Sequence, residues 1–280
     1  MSNLELPSIQ WFPGHMHKAR QALRALGKLV DVYIEVLDAR LPLSSANPLL
    51  AQHMGGKPRL RALVKADLAD PRTTRQWEAY FAGGAAPVVA LDSRKRGAVR
   101  SIPERCRRLF PPGRTRLLTA MVAGIPNAGK STLVNTLAGR GAARTGDQPA
   151  LTRQPQFIEI DAGFRLLDTP GLLWPKVENR DCGCRLAVTG AIRDTAMPHT
   201  EVAVYALTEL ARLYPERLTA RYGAGVAAAG LEGLSAAGRR RGCLVKGGAV
   251  DLDRAAKAVL ADIRDGRLGR ISWEAPGSED

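Results

Sequence analysis

Short apolar runs alternate with amphipathic segments along the first 175 residues of the chain. The apolar runs have the length and the β-branched content of buried strands: VYIEVLDA, LRALVKAD, PVVALDS, LLTAMVAGIP, PQFIEID and FRLLDTPG. Amphipathic stretches lie between several of them, as at Met16–Leu29, Arg72–Phe81 and Val99–Phe110. Alternating strands and helices predict an α/β fold with a mostly parallel sheet.

The strand pattern ends near residue 176, and the rest of the chain has the periodicity of helices. LAVTGAIRD, TEVAVYALTELARLYPERLTARYG and DLDRAAKAVLADIRDGRLG predict helices separated by turns, with Asp251 or Asp253 as an N-cap and Gly266 as a stop. The stretch YGAGVAAAGLEGLSAAGRRRG fits either a loosely packed helix or a flexible loop. We therefore predict two domains: residues 1–178 with the sheet and an N-terminal helical segment, and residues 179–280 as a small all-helical domain.

The fourth predicted strand leads into GIPNAGKS, a complete phosphate-loop motif, and the helical pattern KSTLVNTLAG follows. Gly124 and Gly129 permit a sharp turn, and backbone N–H groups at the helix N-terminus would hold phosphate oxygens. Lys130 would neutralise the β- and γ-phosphates, and the Ser131 hydroxyl would bind Mg²⁺. The predicted phosphate-binding residues of this loop are Asn127, Ala128, Gly129, Lys130, Ser131 and Thr132.

Three predicted switch residues follow the phosphate loop, namely Thr152, Asp168 and Leu172, and Gly171 is a further predicted phosphate-binding residue. Asp168, at the end of the sixth predicted strand, would hold Mg²⁺, and the N–H of Gly171 would meet the γ-phosphate. Thr152, in the loop TGDQPALTRQPQF, would close on Mg²⁺, although surface loops often contain a threonine without such a role. Leu172 stands where many GTPases have the glutamine that orients the attacking water, and an aliphatic side chain cannot do this.

The base-recognition motif lies before the phosphate loop rather than after it. An Asn/Thr-Lys-x-Asp motif selects guanine, because its carboxylate accepts from the N1 and N2 donors of the base and its lysine stem covers the ring. No such motif follows Asp168, whereas Val64-Lys65-Ala66-Asp67 ends the second predicted strand and Ser93 follows the third. We therefore predict that Lys65, Asp67 and Ser93 bind guanine, and that the order of motifs is circularly permuted.

These motifs, in this order, resemble the ribosome biogenesis GTPase A family. The resemblance covers nearly the whole chain and includes QWFPGHMHKAR, DVYIEVLDARLPLSSANP, GIPNAGKSTLVNTL, LLDTPGLLWPKVE and RRGCLVKGGAVDLDRAAKAVLADIRDGRLGRISWE. It implies a GTPase that promotes a late maturation step of the large ribosomal subunit and binds rRNA through a helical C-terminal domain. Val64 replaces the asparagine of the family pattern, so we expect guanine preference to survive with weaker affinity.

The resemblance also implies roles for two individual residues. His15, in QWFPGHMHKAR, is implied to be a catalytic residue that positions the attacking water; the alternative is a structural residue at the start of the first helix. Asn127 is a candidate K⁺ ligand, as in similar K⁺-dependent GTPases, and its alternative role is to stabilise the loop turn. The expected cofactors are GTP or GDP with Mg²⁺, and K⁺ is a further candidate.

The composition is strongly basic. The chain has 41 Lys and Arg against 27 Asp and Glu, a formal net charge of +14. Nine basic residues and one acid lie between Arg94 and Arg116, and Arg239-Arg240-Arg241 with Lys246 forms a second cluster. Such clustering favours a polyanionic partner over a merely soluble basic surface, and the few interleaved aromatics favour structured RNA over base stacking. We expect the rRNA of a large-subunit precursor and no DNA, although charge alone does not separate rRNA from tRNA.

The sequence also bears on the cellular compartment of the protein and on two alternative functions. No apolar stretch approaches the ~18–20 residues of a membrane span, and the N-terminus lacks a signal or transit pattern, so we expect a cytoplasmic protein without a membrane partner. Cys182-Gly-Cys184 lacks a second Cys/His pair at zinc-finger spacing, which favours reduced thiols. Val64 leaves an ATPase open, and Leu172 leaves a non-hydrolysing RNA-binding scaffold open.

Overall fold

The computed structural model describes residues 21, 23–54, 56–84, 86–113, 116–139, 156–169, 179–192, 198–227 and 230–277. The described residues divide into two compact units, one with residues 21–169 and 274–277 and the other with residues 179–273. The segment 274–277 thus belongs to the first unit. The return is anchored by the Glu274 carboxylate, which accepts from the backbone N–H groups of Leu43 at 2.8 Å and Ser44 at 3.0 Å.

A single sheet organises the described part of the first unit. Its strands are β1 (Val32–Asp38), β2 (Arg59–Val64), β3 (Val88–Ala90), β4 (Leu118–Ala123), β5 (Gln156–Asp161) and β6 (Phe164–Asp168). The strand order is β3-β2-β1-β4-β6-β5, and every neighbouring pair is parallel except β5 and β6. The predicted strands and the mostly parallel, permuted α/β fold are therefore confirmed.

Helices connect the parallel strands of this unit. Residues 23–28 are helical, and the elements that follow are α1 (Pro48–His53), α2 (Pro71–Ala82), α3 (Arg96–Val99), α4 (Ser101–Arg107) and α5 (Lys130–Ala138). The amphipathic segment at Val99–Phe110 corresponds to α4, and the short separate helix α3 precedes it. Pro103 has no N–H with which to bond the Val99 carbonyl, so one continuous helix would lack a bond at this point.

The core lies along the central strands β1 and β4, which are buried over their whole length. Such strands are typical of a parallel sheet covered on both faces. One apolar group joins Tyr33, Met121 and Leu167, and another packs Trp77 of α2 against Leu63 of β2. The apolar packing of α2 and the central strands makes the carboxyl edge of the sheet a rigid platform for the loops that follow each strand.

The second unit is helical throughout its described regular elements. These are α6 (Arg180–Val188), α7 (His199–Leu213), α8 (Pro215–Tyr222), a 3₁₀ turn (Ala224–Ala227), α9 (Gly230–Arg240) and α10 (Leu252–Arg264). Helices α7, α9 and α10 pack against one another. A Cβ on Gly238 would lie 2.6 Å from Val250 and 2.8 Å from Ala255, so the close approach of α9 requires glycine at this position.

The helix ends follow local chemistry that the sequence predicted in part. Asp251, rather than Asp253, caps α10 by accepting from the Arg254 N–H at 3.0 Å. Gly266, with φ of 72°, follows the end of α10 as expected. The helix predicted over LAVTGAIRD instead ends at Val188, before Gly190 with φ of 80°. Across the described ranges, no helix is both long and apolar enough to cross a bilayer.

Candidate nucleotide site

The candidate site lies along the carboxyl edge of the parallel strands, where the loops after β1, β2, β4 and β6 meet. The last residue of β1, Asp38, is in register with Val64 at the end of β2. On the other side, Val122 of β4 is in register with Asp168 at the end of β6. The sheet therefore brings the base motif, the phosphate loop and the Asp168 carboxylate to one edge, as the motif order predicts.

The phosphate loop begins with a glycine that the packing demands. A Cβ on Gly124 would lie 2.4 Å from the carbonyl oxygen of Val36 in the neighbouring strand. Later in the loop, Asn127 has φ of 54° and Gly129 has φ of 111°, so the chain turns through left-handed conformations before α5 begins at Lys130. This turn points the first backbone N–H groups of α5 toward the space that phosphate oxygens would fill.

The side chain of Lys130, the first residue of α5, reaches back into this loop, and the residue is 7% exposed. Its Nζ donates to the carbonyl oxygen of Ile125 at 2.7 Å. Burial lowers the pKa of Lys130 to about 8, the Asp168 carboxylate opposes this shift, and the nearby Lys65 adds to it. The Asp168 carboxylate offsets the burial of this ammonium only in part, and a bound polyphosphate would supply further negative charge. This fits the predicted role of Lys130 at the phosphates.

Ser131 and Asp168 offer the hard oxygen donors that Mg²⁺ prefers. Ser131 lies in the first turn of α5 and is partly exposed, whereas Asp168 is fully buried. The chain after Asp168 is fixed by Thr169, whose hydroxyl donates to the Val122 carbonyl oxygen at 2.8 Å. Within the described ranges, no group of three His, Cys, Asp or Glu residues converges on a metal position. The chemistry of these donors therefore fits a Mg²⁺ ion that also takes water and phosphate oxygens.

The base motif is joined to the phosphate loop by Lys65. Lys65 follows β2 with φ of 58°, and its Nζ donates to the carbonyl oxygen of Asn127 at 2.6 Å. Beside it, Cγ2 of Val64 lies 3.3 Å from the place a Cβ on Gly129 would take. The link that the Val64 side chain cannot make by a hydrogen bond is thus made by the Lys65 ammonium, beside an apolar contact of Val64.

Asp67 and Ser93, the other predicted guanine residues, lie in the loops after β2 and β3. Oδ2 of Asp67 accepts from Arg94 at 2.6 Å, and Arg94 also bonds Asp92 at 3.0 Å. Ser93 is 5% exposed, and its hydroxyl has no hydrogen-bond partner in the described part of the chain. The hydroxyl lies 3.9 Å from the Cβ position of Gly129, so Ser93 faces the phosphate loop.

Sequence reasoning missed the role of Asp38 and Arg40, which lie at the end of β1. Asp38 is 2% exposed and Arg40 is 1% exposed, and the guanidinium bonds both carboxylate oxygens at 2.9 Å and 2.8 Å. Arg40 and Lys65 hold the pKa of Asp38 well below its usual range, against the opposing effect of burial. The sequence shows only that Asp-Ala-Arg ends the strand before the base strand, and the parallel pairing of these two strands is what brings Asp38 to Lys65.

Some predicted site residues lie outside the described residues: His15, Thr152, Gly171 and Leu172. Their roles in catalysis, metal binding, γ-phosphate contact and the switch remain predictions. The structure places Lys65 and Asp67 in the loop after β2 and Ser93 in the loop after β3, and Lys130 lies near Asp168; their roles as nucleotide ligands also remain predictions.

Comparison with known proteins gives independent evidence on this site. Residues 119–205, which include the phosphate loop and Asp168, match the family model described as 50S ribosome-binding GTPase. A ribosome biogenesis GTPase A from Bacillus cereus is 44% identical over 96% of this chain and 94% of its own length. Mitochondrial ribosome-associated GTPase 1 of Mus musculus is 36% identical over 72% of this chain and 67% of its own length.

Solved structures agree with these sequence relatives. GNP-bound YlqF from T. maritima superposes with a TM-score of 0.72 at 26% identity, covering 93% of this chain and 99% of that one. A GDP-bound YlqF gives 0.69 at 27% identity, covering 91% and 99%. The permuted order of motifs, the sheet edge that joins them and the relatives that share nearly the full length lead to one conclusion. The chain belongs to the ribosome biogenesis GTPase A family and is a guanine-nucleotide-binding GTPase that takes part in ribosome biogenesis.

Proposed function

We propose that this GTPase binds rRNA in a precursor of the large ribosomal subunit and promotes a late step of its maturation. In this proposal the guanine base meets Lys65, Asp67 and Ser93, and the phosphates meet residues 127–132 and Gly171. Ser131, Thr152 and Asp168 hold Mg²⁺, Asn127 is a candidate K⁺ ligand, and His15 positions the attacking water. Mg²⁺ would neutralise charge that develops on the phosphates.

The observation that carries the RNA part of the proposal is the exposure of positive charge on both units. We call residues 94–116 the first basic cluster; its exposed side chains include Lys95, Arg96, Arg100 and Arg105. Other members are paired, as Arg107 is with Asp161 at 2.6 Å. Exposed cations of this kind can replace counterions on a phosphate backbone.

The second unit carries its own arrangement of arginines. Buried Asp262, 1% exposed, accepts from Arg221 at 2.9 Å and Arg241 at 3.2 Å, and Tyr222 donates to the same oxygen at 3.1 Å. Arg267 approaches the other oxygen at 3.7 Å. One carboxylate thus orients three partly exposed guanidinium groups, a local excess of positive charge that suits phosphate contacts. Exposed Arg239, Arg240 and Lys246 extend this charge and form, with Arg241, the second basic cluster.

The partner is inferred from what the relatives are called. The matching family model is described as ribosome-binding, and the mouse relative as ribosome-associated, so structured rRNA is the polyanion that fits best. A ribosomal precursor as partner also supports the expected cytoplasmic location.

Sedimentation with purified large subunits across a salt series tests the proposal. Arg100→Glu with Arg105→Glu should weaken association and reduce the log–log salt slope by about one unit per lost phosphate contact. The matched control is Arg72→Glu with Arg75→Glu, which makes the same charge change on exposed residues of α2 outside both clusters. Association that does not depend on salt, or equal loss in both variants, would contradict the assigned RNA surface.

A further inference from the structure

We propose that Asp38 is a positioning residue of the nucleotide site, which holds the Lys65 ammonium where it bridges the base motif and the phosphate loop. The inference rests on the guanine site proposed above, because it assigns Lys65 to that site. Asp38 touches neither nucleotide nor metal in this arrangement; it acts through Lys65.

Three segments of the chain meet at one ammonium group. Nζ of Lys65 lies 3.0 Å from Oδ2 of Asp38 and donates to the Asn127 carbonyl oxygen at 2.6 Å. Asp38 ends β1, Lys65 follows β2, and Asn127 belongs to the loop after β4. Because Asp38 is in register with Val64, the parallel pairing itself places the carboxylate beside the start of the base motif.

The Asp38 carboxylate is fixed from its other side. Arg40 donates to it through Nε and Nη2, and the backbone N–H of Arg40 adds a third bond at 3.1 Å. The backbone N–H of Asp38 donates to the Ser45 hydroxyl at 3.0 Å, which ties the loop after β1 to the strand end. A side chain locked by this many bonds and excluded from water holds its partner to a narrow geometry.

The arrangement matters because Val64 offers no side-chain hydrogen bond to the phosphate loop. Lys65 makes that link, and the Asp38 carboxylate, 3.0 Å away, supplies the counter-charge to its largely desolvated ammonium. Without the carboxylate, the ammonium would lose its counter-charge next to the Arg40 guanidinium, and like-charge repulsion would turn the lysine toward water. Its stem would then no longer be held over the guanine ring.

Direct titration of the purified full chain with GDP tests the inference. Asp38→Asn should weaken GDP binding by at least about tenfold, the size of effect that follows from losing the geometry of a buried charged group. A double-mutant cycle with Lys65→Met distinguishes a positioning role from a merely structural one, because a merely structural loss would lower GDP affinity whether or not Lys65 is present. If Asp38 acts through Lys65, adding Asp38→Asn to Lys65→Met should change GDP affinity by less than about twofold.

The strand supplies a matched control in Glu35. It is buried at 4% exposure and pairs with Arg59 at 3.2 Å and Arg61 at 3.3 Å, but it has no contact with Lys65 among the described contacts. Glu35→Gln should lower the melting temperature and leave GDP affinity unchanged. If Asp38→Asn alone does not fold, Asp38→Asn with Arg40→Met removes both charges of the pair and permits the same titration.

Two results would overturn the inference: GDP affinity within twofold of wild type in a folded Asp38 variant, or fully additive losses in the cycle with Lys65→Met. A parallel test of Asp67→Asn for a switch toward xanthine nucleotides separates the two ways in which the inference can fail: the role of Asp38 can be wrong, or the proposed guanine site can be wrong. If that switch occurs while Asp38→Asn has no effect, only the role of Asp38 fails. If the switch does not occur, the proposed guanine site itself fails.

Discussion

Arg94 donates a 2.6 Å hydrogen bond to Oδ2 of Asp67, the carboxylate that we assign to the guanine edge. The Arg94 side chain is 68% exposed and is also bound to Asp92. An exposed ion pair of this kind contributes only ~0–1 kcal/mol, so a base that brings two N–H donors can replace the guanidinium. Asp67 is thus arranged as an acceptor for planar N–H groups, which is the property that guanine selection requires.

The first prediction follows from that acceptor. Asp67→Asn should abolish the preference for GTP, because the amide presents a donor where N1–H and N2–H₂ of guanine need acceptors, and it should favour xanthine nucleotides instead. Competition between GTP and XTP for the purified variant measures the preference. An unchanged preference for GTP in the variant would remove Asp67 from the base site.

The second prediction concerns the residue that departs from the family pattern. Val64→Asn should tighten GDP binding by about five- to tenfold, since one added hydrogen bond contributes roughly 1 kcal/mol. Val64 already lies against Gly129, so an asparagine of similar size would reach the phosphate loop, close to the Ser93 hydroxyl that has no hydrogen-bond partner among the described residues. Calorimetric titration with GDP measures the change. Equal affinities would mean that the link through Lys65 already compensates for Val64.

The third prediction addresses catalysis. His15→Ala should lower GTP turnover stimulated by large subunits by ~10²–10⁴-fold, the usual effect of a positioned acid–base group, because Leu172 cannot orient water. GTP affinity should barely change, since the side chain would act in the transition state. Single-turnover hydrolysis with and without subunits measures both rates, and His17→Ala is the neighbouring control. Full stimulation in a folded His15 variant would exclude His15; loss of stability and of both rates together would support the structural alternative.

The fourth prediction tests the return of the chain to the first unit. The buried Glu274 carboxylate accepts from the backbone N–H groups of Leu43 and Ser44 and from the Ser44 hydroxyl. Glu274→Ala would leave these buried donors without an acceptor and should lower the free energy of unfolding by about 2–4 kcal/mol. Urea denaturation measures it. Glu104→Ala, which removes an exposed carboxylate paired with Arg108, should cost under about 0.5 kcal/mol, and equal losses would contradict an anchoring role for Glu274.

The sequence by itself determined the strands, the permuted order of motifs and the identity of the phosphate loop. These features depend on local patterns: apolar runs of strand length, a glycine-rich turn before a helix, and an acid at a strand end. Gly124 shows why such a motif is dependable, because the neighbouring strand leaves no room for a Cβ. Helix ends were less predictable, since Gly190, with its positive φ, ends the helical pattern of LAVTGAIRD that the apolar periodicity alone would continue.

Only the tertiary structure decided which charges act together. Asp38 and Lys65 are distant in the chain, and they meet because parallel pairing of β1 with β2 places their strand ends side by side. Strand register is set by the packing of the whole sheet, so no local pattern in Asp-Ala-Arg or Val-Lys-Ala-Asp reveals the contact. The same holds for Glu274, whose carboxylate meets backbone N–H groups some 230 residues earlier in the chain. Burial then gives these contacts their strength, because a charge excluded from water must be matched by a partner that only the fold can supply.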